Sequence, residues 1–174
     1  MKLCAGFLTC LLAMSAPYAE AYEIAAGKVS WLAVGKPGFL KITGEGGKLQ
    51  GRAEAGADGK VSGTFTVKLA DYTTGMDLRD KHMKEKYLEV AKHPEASVTV
   101  TGWTPTVAES PFVGTLTLKG ETKPVRDGKA SLREGKLHAA FHVLLSDYPA
   151  VGVPSHLGIT VAEDVTVEVE ADVK

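Results

Sequence analysis

Arg79, Asp80 and His82 form the most polar cluster in the one helical segment of this chain, and they are of types able to hold an anion or move a proton. An arginine beside a carboxylate and an imidazole can do either. The same three residues can instead pin the start of a helix, with Arg79 or His82 bonded to a loop carbonyl, and this structural role is the one favoured here. The five histidines invite a metal reading. His138 and His142 share one face of a strand, where four residues span about 13 Å, too far for one ion with ligand bonds of roughly 2 Å. His82 in a helix, His93 at its exit and His156 in a Gly/Pro loop have no carboxylate or cysteine at ligand spacing. Ser155-His156 adjacency does not aim a hydroxyl at an imidazole, and nucleophile-elbow, dinucleotide and phosphate-loop motifs are absent from the sequence. The expectation is a protein without catalytic residues, metal or cofactor. The alternative is an enzyme acting on a small lipid or quinone through Arg79, Asp80 or His82.

Composition narrows the partners. With 174 residues, 44% hydrophobic and 24% charged, the chain suits one packed domain. Lys and Arg number 20 against 21 Asp and Glu, a net charge of −1. A nucleic-acid binder or a polybasic membrane-surface domain needs a basic excess.

Residues 1–21 read as a secretory leader. Lys2 supplies the positive start, Leu3 to Met14 an apolar run of about 12 residues, and Ala19-Glu20-Ala21 a small-x-small cleavage site. The domain then spans 22–174 and starts at Tyr22. Cys4 and Cys10 both fall in the leader, so thiol catalysis is excluded from the mature chain. Lipid attachment at Cys10 fits poorly, because Phe7-Leu8-Thr9 is the wrong lead-in. The expected compartment is the periplasm.

The mature chain reads as strands with one helix. Val165, Val167, Val169, Ala171 and Val173 alternate with polar residues, as do Val61 to Leu69, Ala96 to Val100, Phe112 to Leu118 and Leu137 to Leu145. Weaker strands are expected at Tyr22–Val34, Phe39–Thr43, Leu49–Ala55 and about Thr122–Leu132, the last interrupted near Asp127-Gly128. Lys36-Pro37-Gly38, Gly44 to Gly47, Ala57 to Lys60 and Arg133 to Lys136 carry hairpin chemistry. Asp77 to Ala91 has helical spacing, with Asp77 and Asp80 as caps and His93-Pro94 as the stop. The fold expected is all-β with one helix, an antiparallel β-barrel of about eight strands, the helix able to plug one end.

The inward set carries no charge. Phe65, Val67, Leu69, Val98, Val100, Leu116, Phe141 and Val143 are the expected lining of the interior. Gly63, Ala96, Gly114 and Ala139 on the same faces either leave space or let strands pack closely. A barrel of this size can be filled by side chains or hold one small ligand, and the pattern leaves both open.

The order of motifs is more specific. Thr74-Gly75, Arg79-Asp80-Lys81-His82-Met83, Tyr87-Leu88-Glu89 and His93-Pro94 are followed by Gly114-Thr115-Leu116-Thr117-Leu118-Lys119-Gly120 and Thr122-Lys123-Pro124-Val125. Ser146-Asp147-Tyr148 and a Val161 to Val169 run close the series. This succession resembles the YceI-like family of bacterial periplasmic proteins across the mature chain. The resemblance implies a lipocalin-like barrel that binds polyisoprenoid or other long-chain lipids, an isoprenoid quinone among them, with transient membrane contact. A first-strand D-x-x-H-S run common in the family is reduced here to Ser30, so no head-group role is carried over to that strand. A filled-core protein-interaction module is the third reading.

Overall fold

The computed structural model describes residues 20–36, 40–156 and 159–174. The expected leader, apart from Glu20 and Ala21, lies outside these residues, as do Pro37 and Gly38 of the first expected turn.

The strands are β1 (Ala21–Lys36), β2 (Lys41–Ala55), β3 (Val61–Lys68), β4 (Glu95–Trp103), β5 (Ser110–Pro111), β6 (Val113–Leu118), β7 (Glu121–Pro124), β8 (Arg126–Arg133), β9 (Lys136–Leu144), β10 (Ser155–His156) and β11 (Ile159–Val173). All belong to one sheet, and every pairing is antiparallel. The strand pieces outnumber the expected eight for a physical reason. Segment 110–118 is broken at Phe112 and segment 121–133 at Val125, yet the two run side by side. Thr115–Leu118 pairs with Glu121–Pro124, and Ser110 pairs with Ala130. Between them Val125 N–H donates to the Gly114 carbonyl at 2.9 Å and Phe112 N–H to the Gly128 carbonyl at 3.0 Å. The breaks are bends in continuous staves. With β10 a short appendage of β11, the chain makes eight staves in sequence order, and β11 pairs back onto β1. The barrel is closed, which removes exposed sheet edges.

The glycine cluster Gly44 to Gly47 is not a hairpin, and the two strands expected around it are one. β2 runs through it with a bulge, Val29 facing Gly47 and Trp31 facing Gly44. Glycine is required there for room. A Cβ on Gly44 would lie 2.1 Å from the Trp31 ring, and one on Gly47 would lie 2.5 Å from the Tyr72 hydroxyl. Gly63 and Gly114 likewise serve close packing: a Cβ would stand 2.6 Å from Ala53 Cα and 2.5 Å from the Thr99 carbonyl oxygen, respectively. They do not create the interior space.

The helical segment is shorter than its spacing suggests. An α-turn, α1 (Asp77–Lys81), passes into a π-helix at His82–Tyr87. Asp77 does not cap it: the N-cap residue is Met76, without a side-chain bond. The segment ends before His93-Pro94 because Glu89 turns left-handed at φ 46°. Its carboxylate grips Lys92 at 2.6 Å and the nearly buried Lys119 at 2.7 Å, while the Lys119 ammonium also donates to the Ala150 carbonyl at 2.6 Å. One cation thereby ties the helix exit, the β6–β7 turn and the loop after β9. No helix of the described residues is long and apolar enough to cross a membrane.

Bonds from Lys119 and Lys92 hold the Glu89 carboxyl down at about 2, from an ordinary 4.5. A carboxyl depressed in the folded state adds stability above its unfolded value, and that stability is lost as pH falls toward the folded one. Glu89→Gln is therefore expected to lower the melting temperature at neutral pH. Below about pH 2 its melting curve should coincide with that of the wild type. A deficit that persists unchanged in acid would show that the carboxylate charge is not what holds this junction.

Candidate functional site

The staves coil around a cavity of about 570 Å³, within the range of roughly 300–1,000 Å³ usual for ligand pockets. Its wall is built by alternation. β1 contributes Val29, Trp31 and Ala33, β3 Phe65 and Val67, β4 Val98 and Val100, β9 Ala139, Phe141 and Val143, and β11 Val165, Val167 and Val169. All eight residues expected to line the interior, namely Phe65, Val67, Leu69, Val98, Val100, Leu116, Phe141 and Val143, stand on this wall. Among the described residues, the buried ones include no polar or charged side chain other than tyrosine and tryptophan. None of the large described side chains is sealed off completely; Leu116 keeps 8% and Phe141 5% of its surface. That is the signature of a hollow core, whose members face open space on one side.

One end is lined by aromatic residues. Phe112 and Phe141 meet edge to face at 6.4 Å and 87°, and the Trp103 indole N–H donates to Ser110 Oγ at 3.0 Å. The other end is a rim made by 74–88 and 145–155. Tyr87 joins the two segments by donating to the Ser155 carbonyl at 3.4 Å. Below it, Tyr148 Oη donates to the Leu116 carbonyl at 3.1 Å, and burial, aided by Asp147 and Glu121, pushes this phenol up to about 12. The helix does not plug the barrel. None of α1 is buried, and Met76 and Leu78 are 53% and 58% exposed while lining the cavity mouth.

The polar cluster divides. Arg79 and His82 reach the mouth, and Arg79 donates to the Met76 sulfur. Asp80 is not on the wall. Its carboxylate accepts Thr73 Oγ1 at 2.6 Å, Thr74 N–H at 2.7 Å and Thr74 Oγ1 at 2.5 Å. Although partial desolvation opposes it, these bonds and the nearby Lys84 hold the Asp80 carboxyl below its usual range. Asp80 thus fixes the entry of the helix from its fourth residue by bonding back to Thr73 and Thr74, while Arg79 and His82 stand at the mouth. His138 and His142 lie on the outer side of β9, with His142 Nδ1 2.8 Å from Asp164 Oδ1. The described residues contain no group of three metal-binding side chains. The His156 side chain is outside the description.

Sequence reasoning missed Trp31, Tyr72 and Met83 on the wall. Val29, Trp31 and Ala33 do alternate, so the signal for Trp31 was present in β1. Tyr72 has none: it follows a single 3₁₀ turn (Leu69–Asp71) and is aimed inward by Glu45 and Thr73, which exchange both backbone bonds at 2.9 Å.

Comparison with known proteins places this architecture. The solved polyisoprenoid binding domain from Saccharophagus degradans, implicated in plant cell wall breakdown, superposes with a TM-score of 0.64 at 16% identity, over 88% of this chain and 97% of that one. BcnA of Burkholderia cenocepacia gives 0.66 at 18% identity over 85% and 96%, and the YCEI protein of Campylobacter jejuni 0.57 at 18% over 75% and 84%. At such identities the likeness is one of fold. A curated relative, the UPF0312 protein plu2095 of Photorhabdus laumondii, is 38% identical over 81 residues, which are 46% of this chain and 41% of that protein. The match thus spans well under half of the relative. The model of the YceI-like domain matches residues 22–173, essentially the whole barrel, and the chain belongs to the YceI-like family.

Proposed function

We propose that the protein is a non-enzymatic carrier of a long-chain, isoprenoid-like lipid, exported to the periplasm by the 1–21 leader. The observation that carries this reading is the apolar cavity inside the barrel, whose basic lining residues, Arg79 and His82, stand at its mouth. The family membership and the polyisoprenoid binding domain among the related folds support it. Burial supplies the affinity. Each CH₂ withdrawn from water contributes about 0.8 kcal/mol, and ordering the tail offsets much of the sum. A lipid leaving a membrane gains far less, so exchange with a bilayer stays feasible. Met76 and Leu78 offer an apolar lip for that encounter.

The test is extraction of protein taken from the periplasmic fraction, followed by mass spectrometry of lipid and protein together. The expected result is a bound long-chain lipid and a polypeptide that begins at Tyr22. Delivery of that lipid to vesicles should slow in Leu78→Glu while the amount held at equilibrium stays the same. Protein that arrives empty and takes up no lipid from vesicles overturns the carrier reading.

A further inference from the structure

The mouth of the cavity carries one sign of charge. Among the described residues of the lining, Arg79 and His82 are the only ionisable side chains other than tyrosine, and no carboxylate is on the wall. The acids of the same segment are engaged or kept off the lining. Asp80 is bonded back to Thr73 and Thr74, with Lys84 close by, and Glu89 is held between Lys92 and Lys119. Asp77 and Glu85 are exposed but do not line the opening. Against them stand Arg79 and the exposed Lys81 and Lys86. The other side of the rim, residues 148–155, has no charged side chain.

Two of these cations are fixed at the lip. Arg79 donates to the Met76 sulfur at 2.6 Å, an uncharged and weak acceptor that leaves the guanidinium charge unbalanced. The Lys86 ammonium lies 5.2 Å from the centroid of the Tyr87 ring, whose hydroxyl bonds across the mouth to Ser155. On the same rim Met76 and Leu78 stand 53% and 58% exposed. Large apolar side chains grouped in solvent mark a surface that meets another one. An apolar lip flanked by cations matches a surface that is anionic at its face and apolar beneath. At such an interface apolar side chains enter the acyl region while Lys and Arg stay level with the phosphates.

We infer that the rim docks mouth-down on a bilayer rich in anionic headgroups, with Met76 and Leu78 dipping below the headgroups and Arg79 and Lys86 lying against the phosphates. A bilayer is favoured over a protein because Met76 and Leu78 belong both to the exposed surface and to the cavity lining. Whatever covers the lip therefore covers the opening, and for a lipid carrier that occupant is the source of the lipid. In this choice of partner the inference rests on the carrier reading, and it adds the charge of the membrane and the residues that sense it.

The test is co-sedimentation of the purified protein with vesicles of phosphatidylcholine alone and of phosphatidylcholine mixed with phosphatidylglycerol, at low and at high salt. Wild type should bind the mixed vesicles well and the neutral ones weakly. It should come off as salt rises, because screening confines exposed charges to a reach of about 8 Å at physiological ionic strength. Lys86→Gln should weaken binding to the mixed vesicles about five-fold, and Arg79→Gln combined with Lys86→Gln about 25-fold, the effect of one and of two cations at an anionic surface. Leu78→Glu should abolish binding. Lys86 and Leu78 are exposed, so both single variants should melt as wild type does. Val98→Trp, which fills the cavity and leaves the rim alone, should sediment like wild type, so docking and loading are read separately. Equal binding to both kinds of vesicle, or Lys86→Gln and the double variant binding as wild type does, overturns the docking surface and leaves the carrier intact. So does a wild type that ignores vesicles and forms a dimer that Leu78→Glu dissolves, which assigns the lip to a second copy of the chain. Docking as expected by a protein that never holds lipid overturns the carrier reading and not this surface.

Discussion

Val98→Trp is expected to give a folded barrel that no longer takes up a long-chain lipid. Val98 lies in the middle of β4, between Phe65 of β3 and Leu116 of β6 in the register, and its side chain faces the cavity. The indole adds volume to a space that holds no protein atoms, so it displaces ligand and leaves neighbouring side chains in place. In a filled core the same change would overpack and cost about 1–3 kcal/mol. Ala139→Phe makes the same test from β9, three staves further round the ring, between Ala130 and Val169. Each variant should melt within a few degrees of wild type and fail both to carry lipid from the cell and to displace a bound fluorophore. A variant that keeps full lipid capacity would place the ligand elsewhere than in the barrel. One that unfolds, from a wild type that never carries lipid, would support the filled-core interaction module.

The wall was legible because its determinant is local. In a strand the inward residue is every second one, so Val98 and Val100, or Phe141 and Val143, declare their common side within a few residues of sequence. The barrel class followed from the number of such runs. What was not legible depends on partners far along the chain. Gly44 to Gly47 carries the same composition whether it turns a hairpin or makes room for the Trp31 and Tyr72 rings, and only the tertiary contact distinguishes the two. Tyr72 faces inward because β2 bonds to Thr73, a non-repetitive pairing without periodicity. The helix stops at Glu89 because Lys119, on a turn between later strands, anchors its carboxylate in a conformation that glutamate seldom adopts. Asp80 lies at the helix entry as the spacing suggests, but its side-chain bonds run back to Thr73 and Thr74 and not to the first turn of the helix.

Leu116→Asp tests the polarity of the cavity as Val98→Trp tests its volume. Leu116 is 8% exposed on β6, and its carbonyl holds the Tyr148 hydroxyl, so the backbone at this point is fixed and a new side chain cannot swing to solvent. A fully buried carboxyl is displaced upward by about 3–5 pH units, and each unit corresponds to about 1.4 kcal/mol. At neutral pH, where the unfolded chain is ionised and the folded one still holds its proton, the variant should therefore lose about 4 kcal/mol, a large part of the roughly 5–15 kcal/mol that holds a domain folded. The sign follows from linkage. The folded state keeps its proton to higher pH than the unfolded state, so stability falls as pH rises from the unfolded value to the raised folded one. Below the unfolded value, the carboxyl is neutral in both states and only the polar burial remains. Lipid uptake should follow the same direction, because a chain in the cavity strips the carboxyl of water and binds best to its protonated form. Leu116→Asn is the control, of nearly equal size without a titrating proton, and its deficit should be flat with pH. Thermal melts and fluorophore displacement across the acid range read both effects. If Leu116→Asp is as stable as wild type, binds lipid and shows no pH dependence, then water reaches the middle of β6 and the barrel interior is not the place where an apolar chain resides.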